Sequence, residues 1–403
     1  LDYNNKKEDK IFMNKFQFEG LMVLDIANNH YGDIKHGQKI IRELGKVCKL
    51  TDIRGAIKFQ FRNIDTFIHP RFIDKNDIKH IPWFVSTYLD KSAYKTLIKE
   101  IRKQNMVSIA TPFDEESVDQ IHDLDIDIIK IASCSVKDRP LLEKIAKEKK
   151  PVIASTAGAK ISHIDDLVQL LESNKIHFAL DHCVAIYPTP NDQMNLNQIA
   201  LLKKRYNNVT IGWSTHESPD DYEIIKMAYA MGARLFERHV GLKRKGSPLN
   251  LYSSQPFQIK NWFNAYKDAV ASCGPENRSP ASVPETESLI SLMRGVYAKK
   301  GIKKGQVIER DDVFFAMPLQ NGSLSSGQWR SGIISNKSYK INEFIDNILA
   351  EFERSKDIII HDIMLQVKGI LNDGRISIGK KSRIEISHHY GLNKFREFGA
   401  VII

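Results

Sequence analysis

Two stretches of the sequence end in polar side chains that could bind a metal ion. VTIGWSTHES carries Ser214 and His216, and RLFERHV carries Glu237 and His239. Residues two apart on a strand share a face, so the members of each pair would point the same way. If the two strands are neighbours, the imidazoles lie close together and, with water and substrate oxygens, form an open site for Mn²⁺, Mg²⁺ or a similar divalent ion. A single histidine at a strand end is more often a core residue, but matched positions on neighbouring strands favour a ligand pair.

Two lysines interrupt otherwise apolar runs, Lys58 in GAIKFQF and Lys130 in IIKIASC. Buried lysines are rare unless they are paired, and such a lysine can form a Schiff base or hold an anion. Hydroxyl groups end several other runs, which favours a cradle for a small phosphorylated carboxylate. The hydroxyl residues are Thr111, Ser133, Ser155 and Ser214. The alternative is that the lysines form ion pairs with Asp25 and Glu237 in the interior.

The sequence segments that must position these residues repeat one pattern, in which short β-rich runs alternate with amphipathic stretches. Eight runs in about 250 residues are typical of a (β/α)8 TIM barrel, an α/β fold. A doubly wound open sheet is the alternative, but no GxGxxG follows the first run. The runs span residues 21–27, 55–61, 107–113, 128–134, 151–157, 178–184, 209–215 and 234–240.

Polar side chains cluster at the carboxyl ends of these runs, where barrel enzymes place their catalytic groups. The first run carries Asp25, the second carries Gln60 beside Lys58, and the sixth leads through His182 to Tyr187. A longer insertion, at about residues 65–89, is rich in histidine, proline and aromatic residues. It is either an active-site loop or a packed excursion.

Composition changes along the chain predict five segments. We expect an N-terminal extension (1–19), the barrel (20–272), a linker (273–288), a small β-rich module (289–348) and a C-terminal extension (349–403). The linker is predicted from its Pro, Ser and Gly content, and the module from the turn chemistry of KKGIKKGQVI. The chain does not begin with Met and ends in FGAVII, so we expect it to be part of a longer product.

Composition also limits the class of function. No apolar run is long enough to span a membrane, and the first residues lack a secretory h-region. Four cysteines lie far apart without CxxC pairs, which fits a reduced, cytoplasmic protein. The net charge is +10, but no basic stripe interleaved with aromatics is present, so anionic substrates or a merely basic surface are favoured over nucleic acid. No GxxxxGK[ST] loop occurs, so nucleotide hydrolysis is not expected.

An ordered set of motifs between about residues 21 and 348 resembles the N-acetylneuraminate (sialic acid) synthase family. The motifs are ANNHYGD, IKFQF, ATPFDEESVD, IIKIASC, KPVIASTAG, HCVAIYPTP, IGWSTHE and GARLFERHV. The later segment RGVYAKKGIKKGQVIERDDV is similar to the antifreeze-like (SAF) domain that follows the barrel in that family. The ordered set is specific, although each motif alone would be weak.

The resemblance implies a metal-dependent condensation of phosphoenolpyruvate (PEP) with an aldehyde sugar such as N-acetylmannosamine. The product would be a 2-keto-3-deoxy acid of the sialic type, released with phosphate. The implied metal is Mn²⁺, with Mg²⁺ or Co²⁺ as alternatives, and its ligands would be His216 and His239. The family also implies a homodimer in which the SAF domain of one subunit caps the barrel of the other.

Site residues follow from the resemblance position by position. Catalysis would fall to Asp25, Lys58, Lys130, His216 and His239. The PEP contacts would be Lys58, Thr111, Lys130, Ser133, Ser155 and Ser214. Residues toward the acceptor sugar would be Gln60, Tyr187 and Asn250, of which Asn250 aligns loosely with a family aspartate.

Departures from the family pattern concern mainly the acceptor or water side. Family residues that carry a charge or an amide are replaced at six positions. They are Asp25 for Glu, Ser135 for an acid, Ala185 for Asn, Thr215 for Asp, Asn250 for Asp and Met317 for Arg. Since the PEP and metal residues are kept, we infer a divergent member with an altered acceptor.

Two other functions stay open at the level of sequence. The lost carboxylates are compatible with a catalytically impaired, sugar-phosphate-binding member of the same fold. A Schiff-base aldolase that uses Lys130 or Lys58 is a further alternative. The last segment, from residue 349, faintly resembles the entry to a cupin-like domain, in which His388 and His389 would be ligands or, alternatively, an exposed pair in a turn.

Overall fold

Eight parallel strands close into a barrel in the order in which they occur in the sequence. The structure, a computed structural model, describes residues 16–244, 246 and 248–347. The strands are β1 (Met22–Ala27), β2 (Gly55–Phe61), β3 (Val107–Pro112), β4 (Ile128–Ile131), β5 (Val152–Ser155), β6 (Phe178–Cys183), β7 (Thr210–Thr215) and β8 (Leu235–His239). All eight predicted runs are confirmed, and the open-sheet alternative is wrong. The predicted C-terminal extension, with His388 and His389, lies outside the described residues, as do residues 1–15.

Helices connect the strands around the outside of the barrel. They are α1 (Ile34–Thr51), α2 (Ile64–Phe67), α3 (Ile81–Ser86), α4 (Lys91–Lys103), α5 (Glu115–Asp123), α6 (Arg139–Lys147), α7 (Ile161–Ser173), α8 (Asn197–Arg205), α9 (Glu223–Ala230) and α10 (Pro256–Cys273). Several begin at an aspartate whose side chain accepts from a backbone N–H of the first turn, as Asp33, Asp90, Asp114 and Asp138 do. Such caps fix the helix starts from the local sequence. None of the helices in the described part of the chain has the length and apolarity needed to cross a membrane.

The lower half of the barrel interior is apolar. Every second residue of a strand points inward, and near the amino ends these residues are small or aliphatic. They form one buried cluster of Val23, Ala56, Ile109, Ile128, Ile153, Ala179 and Leu235, closed by Phe18 and Leu21. This apolar cluster forms the floor of the barrel and excludes water from the side chains nearer the carboxyl ends of the strands.

Strand register brings the polar residues together above this floor. Asp25 lies opposite Lys58 on one side and His239 on the other. Ser214 lies opposite Glu237 on β8. The inward residues two positions closer to the carboxyl ends are therefore the ones whose charged side chains meet inside the barrel.

The chain divides into two compact units with the boundary between Glu276 and Asn277. The second unit contains α11 (Val283–Ser291) and two small antiparallel sheets. One sheet pairs β9 (Gly295–Ala298) with β11 (Val313–Ala316), and the other pairs β10 (Val307–Ile308) with β12 (Ile333–Ile334). A separate core of buried residues, among them Val296, Ile308 and Leu324, stabilises this unit. Its likeness to an SAF domain stays a prediction.

The predicted linker (273–288) differs from the structure at its second half. Helix α11 begins inside it, at Val283, and runs past its predicted end. The Ser282 side chain accepts from the backbone N–H of Glu285, and Pro284 lies in the first turn. A serine with a proline two residues later is typical of helix starts as well as of loops, and here it begins a helix.

Gly212 on β7 leaves the space that a charged side chain of β6 occupies. A Cβ atom at this position would lie 2.1 Å from Asp181 Oδ1 and 2.8 Å from the Leu235 carbonyl oxygen. We expect Gly212→Ala to lower the free energy of unfolding by about 1–3 kcal/mol, the usual cost of overpacking. Urea titration followed by circular dichroism measures the change.

Gly37→Ala is the matched control in the same unit. Its Cβ would lie 2.9 Å from a terminal methyl of Leu97, the flexible end of that side chain, and 3.4 Å from His30 Cβ, and alanine favours the helix in which Gly37 lies. The change there should stay below about 1 kcal/mol. Equal losses in both variants would contradict the packing argument.

Candidate active site

Two buried lysines and three buried acids form one layer at the carboxyl ends of the strands. Lys58 Nζ lies 2.9 Å from Asp25 Oδ2 and 3.1 Å from Glu237 Oε1. Lys130 Nζ lies 2.9 Å from Glu237 Oε2 and also contacts the carboxylate of Asp181. The ion-pair alternative for the two lysines is therefore what the structure shows, with Asp181 as an additional partner.

The layer fixes the charge of its members. Burial disfavours the ammonium of Lys58, but Asp25 and Glu237 outweigh it and raise the pKa above its ordinary value. The pKa of Lys130 is raised in the same way by Asp181 and Glu237. Burial also opposes ionisation of Glu237, yet the two ammonium groups hold its pKa well below the usual range. Burial raises the pKa of Asp181 to about 6. Both lysines are thus protonated hydrogen-bond donors.

The two histidines predicted as a pair lie side by side at the mouth of the barrel. The ring centroids of His216 and His239 are 5.2 Å apart. His216 Nδ1 lies 2.8 Å from the Val184 carbonyl oxygen, which holds the proton on Nδ1 and leaves Nε2 free. His239 Nδ1 lies 3.4 Å from Asp25 Oδ2. Burial lowers the pKa of both rings, that of His216 to about 3, so both are neutral imidazoles.

Neutral imidazole is the form that binds a divalent metal ion. The two rings therefore have the protonation state that a metal requires. Among the described residues, however, no set of three or more His, Cys, Asp or Glu side chains is arranged to hold a metal. Two nitrogen donors are what the protein offers at this place.

The four hydroxyls predicted to contact PEP lie at or just beyond the carboxyl ends of their strands. Thr111 Oγ1 is buried without a hydrogen-bond partner among the described residues. Ser155 lies opposite Asp181 in the strand register. Ser214 Oγ donates to Glu237 Oε1 at 3.2 Å, and Ser133 Oγ accepts from the Ala157 N–H at 3.0 Å in a turn just beyond β4. Ser155 and Ser214 thus adjoin the charged layer, and the role of all four hydroxyls in binding PEP stays a prediction.

Two of the predicted acceptor residues adjoin the site, and the third lies farther out. Gln60 Nε2 contacts Asp25 Oδ2 at 3.3 Å. The half-exposed ring of Tyr187 lies 4.3 Å from the ring of His216. Asn250 lies in the segment after β8, and its Oδ1 is buried without a partner among the described residues. No hydrogen bond between described residues joins Asn250 to the charged layer.

Comparison with known proteins decides the family. Residues 53–278 match the model of the NeuB family. The chain belongs to the NeuB family. It is 32% identical over 326 residues to a protein of Methanocaldococcus jannaschii whose name states no activity, covering 80% of this chain and 90% of that one. It is 28% identical over 339 residues to the N,N'-diacetyllegionaminic acid synthase of Campylobacter jejuni, covering 81% and 98%.

A solved structure agrees with this assignment. A Chromobacterium violaceum protein named for spore coat polysaccharide biosynthesis superposes with a TM-score of 0.79 at 39% identity, covering 82% of this chain and 99% of that one. The predicted family and the predicted barrel are both confirmed.

Two residues of this NeuB site were missed at the level of sequence. Asp181 lies in FALDHCV, where His182 was singled out instead. The structure places His182 outside the barrel lumen, stacked on Trp213 with Nε2 2.8 Å from the Met194 carbonyl oxygen. Alternation from the inward Ala179 would have identified Asp181. Arg62 was missed because it follows the end of the second run, although it continues the inward series of Lys58 and Gln60.

The expectation that Thr215 lies on the acceptor side is wrong. Thr215 is fully buried between the inward residues Ser214 and His216, so it points away from the lumen. Its register partner is Arg238, whose guanidinium lies 3.3 Å from Glu217 Oε1. Glu217 shares the face of Thr215 two residues on, and burial raises its pKa to about 7. In this NeuB chain the carboxylate that faces Arg238 outside the lumen is therefore that of Glu217.

Arg238 holds the backbone that carries His216. Its NH2 donates to the carbonyl oxygens of Ser218 at 2.7 Å and Asp221 at 3.1 Å. We expect Arg238→Met to lower the free energy of unfolding by about 3–5 kcal/mol, because two carbonyl oxygens and the Glu217 side chain lose their buried partner. Chemical denaturation measures the loss.

Arg139→Met provides the matched control. Arg139 pairs with Glu143 at 2.8 Å on an exposed helix face, where an ion pair contributes at most about 0.5 kcal/mol. An Arg238→Met protein as stable as the control would show that the buried pair does not hold this segment.

Proposed function

We propose that the chain is a synthase that condenses PEP with an open-chain aldehyde sugar and releases phosphate. The product is a 2-keto-3-deoxy sugar acid. The observation that carries the proposal is the pair of buried, protonated lysines surrounded by hydroxyls beneath two neutral imidazoles, in a member of the NeuB family. A related protein named as a synthase of a legionaminic acid supports a product of this class.

The lysines retain capacity for an anion. An ammonium has three N–H donors, and each lysine contacts two carboxylates. One donor of Lys58 and one of Lys130 are thus left for the phosphate or carboxylate of PEP. The unpartnered hydroxyl of Thr111 adds another donor nearby. Charge-assisted hydrogen bonds of this kind are the strong ones.

The reaction balances without any further reactant except water. C3 of PEP forms a bond to the aldehyde carbon, the aldehyde oxygen gains a proton, and water adds at C2. The bond between C2 and the phosphate oxygen then breaks, and phosphate leaves. The residues of the layer hold PEP by its two anionic groups, so that its C3 faces the mouth where the sugar enters.

We propose Mn²⁺ as the cofactor, with Mg²⁺ or Co²⁺ as alternatives, held by His216 and His239. When bound, the ion would polarise the aldehyde oxygen and add positive charge to a layer in which three carboxylates face two ammonium groups. Asp25 fits a supporting role, since it contacts both Lys58 and His239. Its carboxylate also accepts from the Ala27 N–H at 2.8 Å, which fixes its orientation.

The Schiff-base alternative is disfavoured by the charges of the layer. A nucleophilic lysine needs a lowered pKa, whereas the pKa of Lys58 and of Lys130 is raised. The alternative of a catalytically impaired, sugar-phosphate-binding member is tested by measuring turnover. The homodimer and the SAF cap remain predictions from the family, and the cytoplasmic location remains a prediction from the cysteines.

Activity is tested with the purified chain, PEP, Mn²⁺ and a panel of 2-acetamido aldehyde sugars. We expect phosphate release that requires both PEP and a sugar, and a product whose mass equals both substrates plus water minus phosphate. Borohydride is added to a parallel reaction without PEP, where no sugar adduct should form. Absence of product with every sugar would reject the synthase and favour the impaired member.

Removal of one imidazole tests the metal site. We expect His216→Ala to weaken Mn²⁺ binding by about 10- to 100-fold, because a single donor remains. Mn²⁺ titration followed by electron paramagnetic resonance measures the affinity, and circular dichroism shows whether the barrel is folded. His122→Ala is the control, since His122 is exposed on α5. Full activity of the unmodified chain in EDTA would contradict metal dependence.

A further inference from the structure

Arg62 extends the inward face of β2 beyond the end of the strand. Its guanidinium lies between the rings of Phe84 and Phe113, at 3.9 Å and 3.8 Å from the ring centroids. NH2 donates to Gln60 Oε1 at 2.9 Å. Two aromatic faces and one hydrogen bond fix the plane of the guanidinium while leaving most of its edge free.

Arg62 is a cation without an anionic partner. None of the described carboxylates forms an ion pair with it, and its Nε is buried without a hydrogen-bond partner among those residues. The nearby acids are used elsewhere. Asp25 contacts Lys58, and Asp114 accepts from the backbone N–H groups of Asn63 and Ser117.

Burial lowers the pKa of Arg62 to about 10, so the group is desolvated and still charged at neutral pH. A desolvated charge is costly unless it is paired. Its planar N–H fork matches a carboxylate or a phosphate.

A small cavity lies beside this guanidinium and next to Gln60, which is proposed to face the acceptor. Gln60 and Arg62 form part of its wall, together with Asn28, Thr87 and Tyr88. Thr87 and Tyr88 belong to the insertion after β2, which therefore lines this cavity. The proposed PEP hydroxyls lie on β3 and beyond, whereas Gln60 links Arg62 to Asp25.

We propose that Arg62 binds an anionic group of the acceptor sugar, a phosphate or a carboxylate on the carbons far from the aldehyde. The acceptor is then a charged sugar rather than a neutral one. This inference rests on the proposed function for the identity of the second substrate. The anion completes the pairing of a cation that the described residues leave unpaired.

Kinetics with matched sugars test the inference. Each 2-acetamido sugar is supplied in its neutral form, as its 6-phosphate and as its uronic acid. We expect the unmodified chain to favour an anionic form. In Arg62→Met the ratio of kcat/KM for the anionic form to that for the neutral form should fall by about 30-fold or more. Arg62→Lys, which keeps the charge but not the fork, should lose less.

Arg54→Met is the matched control for these variants. Arg54 directly precedes β2 at the opposite end of the barrel and lies 4.7 Å from the centroid of the Phe16 ring. It should retain the preference of the unmodified chain. An unmodified chain that favours neutral sugars, or an equal rise in the KM for PEP with every acceptor in Arg62→Met, would overturn the proposal.

A binding measurement separates this inference from the proposed function. Calorimetric titration with N-acetylmannosamine 6-phosphate, with N-acetylmannosamine and with PEP needs no turnover. Binding of the phosphorylated sugar that is weakened in Arg62→Met, with PEP binding retained, supports the inference even if no condensation occurs. Equal binding of both sugars, or loss of PEP binding instead, would overturn it. Circular dichroism and the Arg62→Lys protein show whether any loss reflects misfolding.

Discussion

The mutual pairing of Lys58 and Lys130 with three carboxylates is the interaction on which the rest of the site depends. Charges are stable in a barrel interior only when they are paired and hydrogen-bonded. Glu237 bridges the two lysines, and Asp25 and Asp181 complete the arrangement at either end. The apolar floor below excludes water, so the pairing is strong and its geometry is fixed. Gly212 is required because Asp181 occupies the space of its absent side chain.

This pairing determines what the lysines can do. They are protonated donors whose positions are set before any substrate arrives, which suits binding of an anion better than covalent chemistry. Three carboxylates outnumber the two ammonium groups, so the proposed metal ion would supply the additional positive charge that an incoming anion needs. The neutral imidazoles of His216 and His239 add donors without adding charge. The layer thus offers an anion a few charge-assisted donors at fixed positions.

Sequence reasoning predicted the barrel and the histidine pair because both depend on local period. The eight runs repeat with turns between them, and His216 and His239 occupy matched positions on neighbouring strands. Asp181 was missed because a run such as FALDHCV shows its alternation only when one inward residue is known. The pairing of Arg238 with Glu217 could not be predicted either. Which residues face outward from β7, and so which of them meets Arg238, is known only from the structure. Helix α11 was missed because Ser and Pro also mark loops.

Unlike the lysines of the layer, Arg62 has no carboxylate partner in the described part of the chain, which gives it a different role. The paired charges hold the reacting groups, whereas a lone cation at the rim can select what enters. The departures from the family pattern agree with such a division. The resemblance places acids at positions 135 and 250, and this chain has Ser135 and Asn250 there. With the acceptor placed as proposed, fewer carboxylates at these positions would lower the repulsion of an anionic sugar, and a desolvated guanidinium would add attraction. The same substitutions that could be taken as a loss of function therefore fit a change of acceptor charge.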